Sequence, residues 1–172
     1  MTTESNNTGH FFSLSTMTND VKKVLELFPA DKLNWKPNSW EGNPGENFSA
    51  IEQICHLRDI ETDGYHHRIQ SMLKENTPNL SSIDGYELAI QRDYKNSSLA
   101  EVISEFCLAR EKTIIMISNI ESGHWDRIGF FQGYGNITLK ALIHFLCSHD
   151  FEHLASLRWL LGKIEGDKIP FK

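Results

Sequence analysis

The segment His149-Asp-Phe-Glu-His153 places two imidazoles four residues apart. On a helix that spacing puts both on one face, about one turn apart, where both rings can ligate a single ion. Eight histidines in 172 residues would give roughly 0.3 such pairs by chance, so the spacing alone is weak and its surroundings must carry the argument. Leu139, Leu142, Leu146, His149, His153, Leu157 and Leu160 follow three- and four-residue steps. The two rings therefore fall in the apolar stripe of a helix and face the core. Each buried polar ring needs a partner. Either neighbouring polar groups satisfy two core histidines, or one metal ion satisfies both.

A third ligand has to come from another helix, and His56, in Cys55-His56-Leu57-Arg58-Asp59, is the best candidate. Its periodicity is less decisive, because it lies beside the Ile54/Leu57 stripe. A boundary histidine on a half-polar face is the alternative. The remaining histidines have weaker claims. His66 and His67 face different sides, His10 lies in the N-terminal segment, His124 in a loop, and His144 is five residues from His149. Asp59 or Asp150 could orient a ligand ring, although a surface carboxylate is the plainer reading of Asp150. Ligand rings must be neutral, so ordinary imidazoles predict metal affinity that falls below about pH 6.5.

Other chemistry finds little support. A di-iron bundle needs two Glu-x-x-His motifs, and the single match, Glu121-x-x-His124, is interrupted by Gly123. His-Glu-x-x-His, Gly-x-Ser-x-Gly and the phosphate-loop pattern are absent. Cys55 and Cys147 neighbour His56 and His149 in sequence, but residues one or two apart on a helix face different ways. They read as inert thiols.

Helices must position these groups. Met17, Val21, Val24, Leu25 and Phe28 predict a helix over 16–28, ended by Pro29. Residues 34–47, with two prolines and two tryptophans, form a structured loop. The capping box Ser49-x-x-Glu52 opens a helix that runs to about Lys74. A shorter helix is expected within 84–94. Ser98-x-x-Glu101 opens another long helix, stopped by Gly123, and Thr138 caps a last one that reaches Leu161 before Gly162. Residues 125–137 form a loop or short hairpin. Four long helices with no convincing strand predict an all-α fold, an up-down four-helix bundle with long inter-helix loops. Loops of that size tend to be functional.

Seventeen basic against twenty-three acidic residues leave a net charge of −6, which argues against nucleic-acid backbone binding. No apolar run approaches the ~20 residues of a spanning helix, and no secretory signal pattern is expected at the N-terminus. The length fits one domain over 1–172, with residues 1–14 as a flexible tail. Three cysteines suit a reduced, cytoplasmic setting.

Several segments, in order, resemble the DinB-like domain superfamily of four-helix bundles. They are Trp35-Lys-Pro37, then Phe48-Ser49-Ala-Ile-Glu-Gln-Ile-Cys-His56-Leu-Arg-Asp59, then Ile137 to Leu146 running into Ser148-His149-Asp150-Phe-Glu-His153-Leu. The likeness covers about 15–165. It implies a divalent metal held by three histidines, which carry over to His56, His149 and His153. Zinc, nickel, manganese and iron all accept imidazole, and sequence does not choose among them. Relatives often have a glutamine three residues after the last histidine, where this chain has Ser156. The resemblance further implies a small-molecule enzyme: transfer of a low-molecular-weight thiol such as bacillithiol, mycothiol or glutathione, isomerisation of a maleyl compound, or hydrolysis. Substrate contacts would come from Trp35, Trp40 and Tyr134, and a homodimer is expected. The rival is a non-catalytic, stress-related bundle whose metal is structural or absent.

Overall fold

A computed structural model of the chain describes residues 4–167, with side chains from residue 13 onward. Helix α1 spans Glu4–Leu25, α2 Ala50–Asp59, α3 His66–Lys74, α4 Gly85–Gln91, α5 Leu99–Ser118 and α6 Leu139–Gly166. A π-helical turn over Ile60–Tyr65 joins α2 to α3 in one rod, which matches the single helix expected to Lys74. Helix α1 begins well before residue 16. The expected tail over 1–14 falls partly outside the described residues, as does the His10 side chain, while Leu14 is buried.

Local signals explain the starts. The Ser49 amide donates to Glu52 Oε2 at 2.8 Å, and the Ala141 amide donates to Thr138 Oγ1 at 3.1 Å. Asp84 accepts from the Tyr86 and Glu87 amides, both at 3.0 Å. These bonds satisfy orphan donors of the first turn. Ser98 takes the N-cap position without a side-chain bond. Gly162, expected as a stop, lies inside α6, where packing on both sides outweighs its roughly 1 kcal/mol propensity cost.

A small sheet departs from the all-α expectation. Strands β2 (Ile128–Phe131) and β3 (Gly135–Thr138) form an antiparallel hairpin, and β1 (Asn79–Leu80) adds in parallel beside β2. Gly133, at φ +89°, supplies the left-handed turn residue. The strands are too short for alternation to mark them in sequence.

The helix order also differs from a simple up-down winding. One apolar cluster gathers Val24 and Phe28 of α1, Ile54 and Leu57 of α2, Phe106 of α5 and Leu157 and Leu160 of α6. The other gathers Leu14 of α1, Ile69 and Met72 of α3, Ile117 of α5 and Leu139, Leu142 and Leu146 of α6, with the sheet. The long helices therefore run up, down, down and up. Helix α1 packs on α5 and α6, and α2 packs on the same two. Helix α1 thus sits diagonal to α2, and α5 to α6, while the second rod and α5 are adjacent and both run down, so the connection between them returns along the bundle.

Between the two apolar ends lies a buried polar layer. It holds Gln53, His56, Asp59 and Glu61 from the second rod, Arg110 and Thr113 from α5, and Asp150, His153 and Ser156 from α6. Among the described residues no helix is long and apolar enough to cross a membrane.

Candidate metal centre

Helices α2 and α6 run antiparallel, so a turn of one faces a turn of the other. His149 and His153 stack on α6, and His56 reaches them from α2. His149 Nε2 lies 3.2 Å from His56 Nε2 and 3.1 Å from His153 Nε2. With metal–imidazole bonds near 2.0–2.1 Å, nitrogens sharing one ion stand roughly 2.9–3.4 Å apart. The three side chains form a group able to hold one metal ion.

Protons alone satisfy this cluster poorly, because of how His153 is held. Its Nδ1 bonds Gln53 Oε1. Gln53 Nε2 donates to the carbonyls of Glu46 at 3.2 Å and Phe48 at 3.3 Å, which fixes the amide with its oxygen toward the ring. His153 Nδ1 is then the protonated nitrogen, and Nε2 presents a lone pair. His149 Nε2 touches two rings but has at most one proton to give. A cation among the three satisfies every lone pair.

Burial keeps the rings neutral. It lowers the His56 pKa to about 3 and that of His149 to about 4, and pushes His153 well below the ordinary value. The charge of His149 adds to the shift at His56 and His153, and that of Arg68 at His149. The expectation of proton competition below about pH 6.5 is therefore corrected downward for the folded protein.

A fourth group joins from the loop before α2. Glu46 Oε2 lies 3.4 Å from His153 Nε2 and Oε1 lies 3.8 Å from His56 Nε2. Oε2 is buried and has no hydrogen-bond donor among the described residues. Burial raises the carboxyl above its ordinary range, and the charge of Glu152 adds to this. The loop is braced: Asn43 Nδ2 donates to the carbonyls of Gly45 at 2.7 Å and Glu46 at 3.0 Å, and the Asn47 amide donates to the Tyr86 hydroxyl at 2.9 Å.

Neither expected orienting carboxylate touches the rings. Asp150 is not on the surface but buried, with Arg110 Nη1 at 2.6 Å. Arg110 also grips Glu61, its Nη2 at 2.8 Å from Oε2. A charge in the core requires such pairing, which decides against a solvated Asp150. Asp59 accepts from the Tyr94 hydroxyl at 2.6 Å and pairs with Arg58 at 2.7 Å and Arg92 at 2.9 Å. Gln53, missed in sequence, orients His153 instead. Its signal was the i, i+3 spacing to His56. Ser156 is buried, and its hydroxyl has no hydrogen-bond partner among the described residues.

The other candidates disperse. His66 is a core histidine bonded to Thr113 Oγ1 at 2.9 Å and the Ala109 carbonyl at 3.1 Å. His67 and His144 are exposed, and His124 ends a short helical turn. Burial raises the Cys55 thiol and lifts Cys147 to about 11, so neither is a ready nucleophile. Beside the rings opens a cavity of about 210 Å³, lined by His56, His149, Glu46, Tyr65, Arg68 and Tyr134, among others. Trp35 and Trp40 are not in its lining. Both pack against the apolar core, with Trp40 stacked on Trp159 at 5.7 Å.

A solved structure, YfiT from Bacillus subtilis, a probable metal-dependent hydrolase with an unusual four-helix bundle topology, superposes with a TM-score of 0.82 at 15% identity, covering 96% of this chain and 91% of that one. No curated protein matches this chain. The family model of the DinB superfamily matches residues 13–157. With that match over most of its length, and with its helices and three histidines placed as described, the chain belongs to the DinB superfamily.

Proposed function

We propose that this protein is a metal-dependent hydrolase of a small molecule, with His56, His149 and His153 as ligands of a divalent ion and Glu46 as the proton acceptor. The observation that carries the reading is the convergence of three Nε2 atoms with a carboxylate oxygen that has no donor among the described residues, where His56, His149 and Glu46 line a cavity and His153 lies buried behind them. The likeness to YfiT supports the same reaction class.

A divalent ion at the three rings supplies Lewis acidity, polarising an oxygen and making water a stronger nucleophile near neutral pH. Gln53 holds His153 in the ligating tautomer. Glu46, its pKa raised by burial, accepts a proton at Oε2 and can return it to a leaving group. Ile60, Tyr65 and Phe131 present apolar walls that limit water. The ion is zinc, nickel, manganese or iron.

The test is elemental analysis of untagged protein, followed by an ester and amide panel on the metal-loaded enzyme. Glu46→Gln should keep metal stoichiometry and lose about 10²–10⁴ in rate, whereas His149→Ala should lose both metal and turnover. An unchanged rate in Glu46→Gln removes Glu46 from the mechanism.

Thiol transfer is the second reading, favoured by one feature: a raised carboxyl beside the ligands can take the proton of a low-molecular-weight thiol as readily as that of water. Turnover with a thiol and an electrophile, but not with water, would select it. A purely structural ion has less support, since the cavity gives a small molecule access to the rings. Homodimerisation belongs to the same reading. Leu108 and Ile115, exposed and seven residues apart on α5, support it, and a ~20 kDa species in sedimentation would count against it.

A further inference from the structure

Two arginines in the fold are almost completely buried, and they are treated oppositely. Arg110 is 1% exposed and is held by two carboxylates, Glu61 and Asp150. Arg68 is 6% exposed, and among the described residues no carboxylate pairs with it. Its Nε and Nη2 donate to the Ser81 carbonyl at 3.1 and 2.8 Å. Its guanidinium carbon stands 5.2 Å from the Tyr65 ring and 4.7 Å from the Phe131 ring. A buried, uncompensated cation is costly, and this one lines the cavity that holds His56 and His149.

The π-helical turn puts it there. In an unbroken α-helix the twelve residues from His56 to Arg68 would leave their side chains about 120° apart, whereas the one extra residue of a π turn brings that to about 20°. His56 and Arg68 thus share one face of the second rod. Tyr65 links the two ends: the guanidinium stands over its ring, and that ring lies 6.3 Å from that of His149. Of the cavity's acidic groups, Glu152 acts on Glu46. The groups that act on Arg68 are Tyr65 and Tyr134. The cavity has a metal-ligand end and a cationic, aromatic end.

We infer that Arg68 anchors the carboxylate of an anionic small substrate whose reacting group reaches the three-histidine end. A carboxylate matches the planar guanidinium fork, neutralises the buried charge, and lies away from Glu46. The inference deepens the proposed function and rests on it for the identity of the reacting end.

The test uses cobalt-loaded protein titrated with 3-mercaptopropionate and with its methyl ester, read by the cobalt–thiolate absorption. Each probe has a metal-seeking thiol, and only the first has a carboxylate. The acid should bind at least tenfold tighter than the ester. Arg68→Met should bring the two within twofold while cobalt affinity and helical content stay as in wild type. Ile83→Glu, which adds a carboxylate to the same lining, should do likewise, and it decides the matter if Arg68→Met fails to fold. Equal affinities in wild type, or a preference that survives both variants, overturn the anchor. A separate arm titrates succinate into chelator-treated, metal-free protein by calorimetry. If cobalt does not bind but succinate binding depends on Arg68, the metal reading fails and the anchor stands. If succinate binding is absent or independent of Arg68 there, the anchor falls.

Discussion

Gly85, the first residue of α4, lies directly against the edge of His56: a β-carbon there would stand 2.5 Å from Cε1 and 2.8 Å from Nδ1 of the ring. The neighbour is a buried ring with little freedom to move, so only glycine fits without displacement. Gly85→Ala should push His56 out of register with His149. Overpacking of this kind costs about 1–3 kcal/mol, to be read by urea unfolding. Calorimetry should show weaker metal binding in the same variant. Wild-type affinity in Gly85→Ala would mean that α4 moves instead of the ring.

Gln53 offers a cleaner separation of positioning from ligation. Gln53→Leu removes the acceptor of His153 Nδ1 and keeps much of the packing volume. Loss of such an orienting partner typically lowers metal affinity 10–100-fold. Gln53→Glu keeps an acceptor and should retain most of the affinity, with circular dichroism unchanged in both. Equal binding by Gln53→Leu and wild type would show that the ring needs no help from α2.

Part of this centre is legible in the sequence. The i, i+4 pair on an apolar stripe predicts that His149 and His153 face inward, because helix period and burial are local properties. His56 is the best cross-helix candidate, but only the family resemblance chooses it over a boundary histidine, since nothing local links two residues 93 apart. Glu46 was invisible: it lies in a loop, and loop carboxylates are ordinarily solvated. The π turn was equally hidden, since one extra residue in Ile60–Tyr65 leaves a run that still scores as helix. Asp150 was misplaced because its compensation, Arg110, comes from α5. The up, down, down, up order has the same cause, as periodicity fixes each helix but not which corner it occupies.

The Arg110 cluster should matter for stability more than for metal binding. Asp150→Ala leaves Arg110 with Glu61 alone and opens a void in the core. Removing one partner of a buried ion pair commonly costs about 3–5 kcal/mol. Chemical unfolding should show a loss of that order, while the folded variant still takes up one metal ion. Phe151→Ala, at an exposed neighbouring position, should stay within about 0.5 kcal/mol of wild type. A stable Asp150→Ala that no longer binds metal would reverse this assignment and make Asp150 part of the site.

The low pKa values of the histidines set a pH window for the metal-free protein. Folding lowers His56 to about 3 and His149 to about 4, against roughly 6.5 in the unfolded chain. Between those values the unfolded state holds more protons than the folded state, so stability rises with pH. The contribution is complete above about pH 6.5 and is lost as pH falls toward 4, at up to about 1.4 kcal/mol per pH unit for each ring. Burial raises Glu61 and Asp150, which gives a dependence of opposite sign. That part is common to wild type and His149→Gln, so the difference between their unfolding titrations reports the His149 ring together with its effect on His56 and His153. The difference should grow with pH from 4 to 6.5 and then level. In the metal-free folded protein the rings are already neutral at pH 6, so metal affinity measured on the folded state should hold between pH 7 and pH 5.5. A tenfold or greater fall across that interval would show that His56 and His149 titrate near the ordinary imidazole value, and that burial does not keep them ready for an ion.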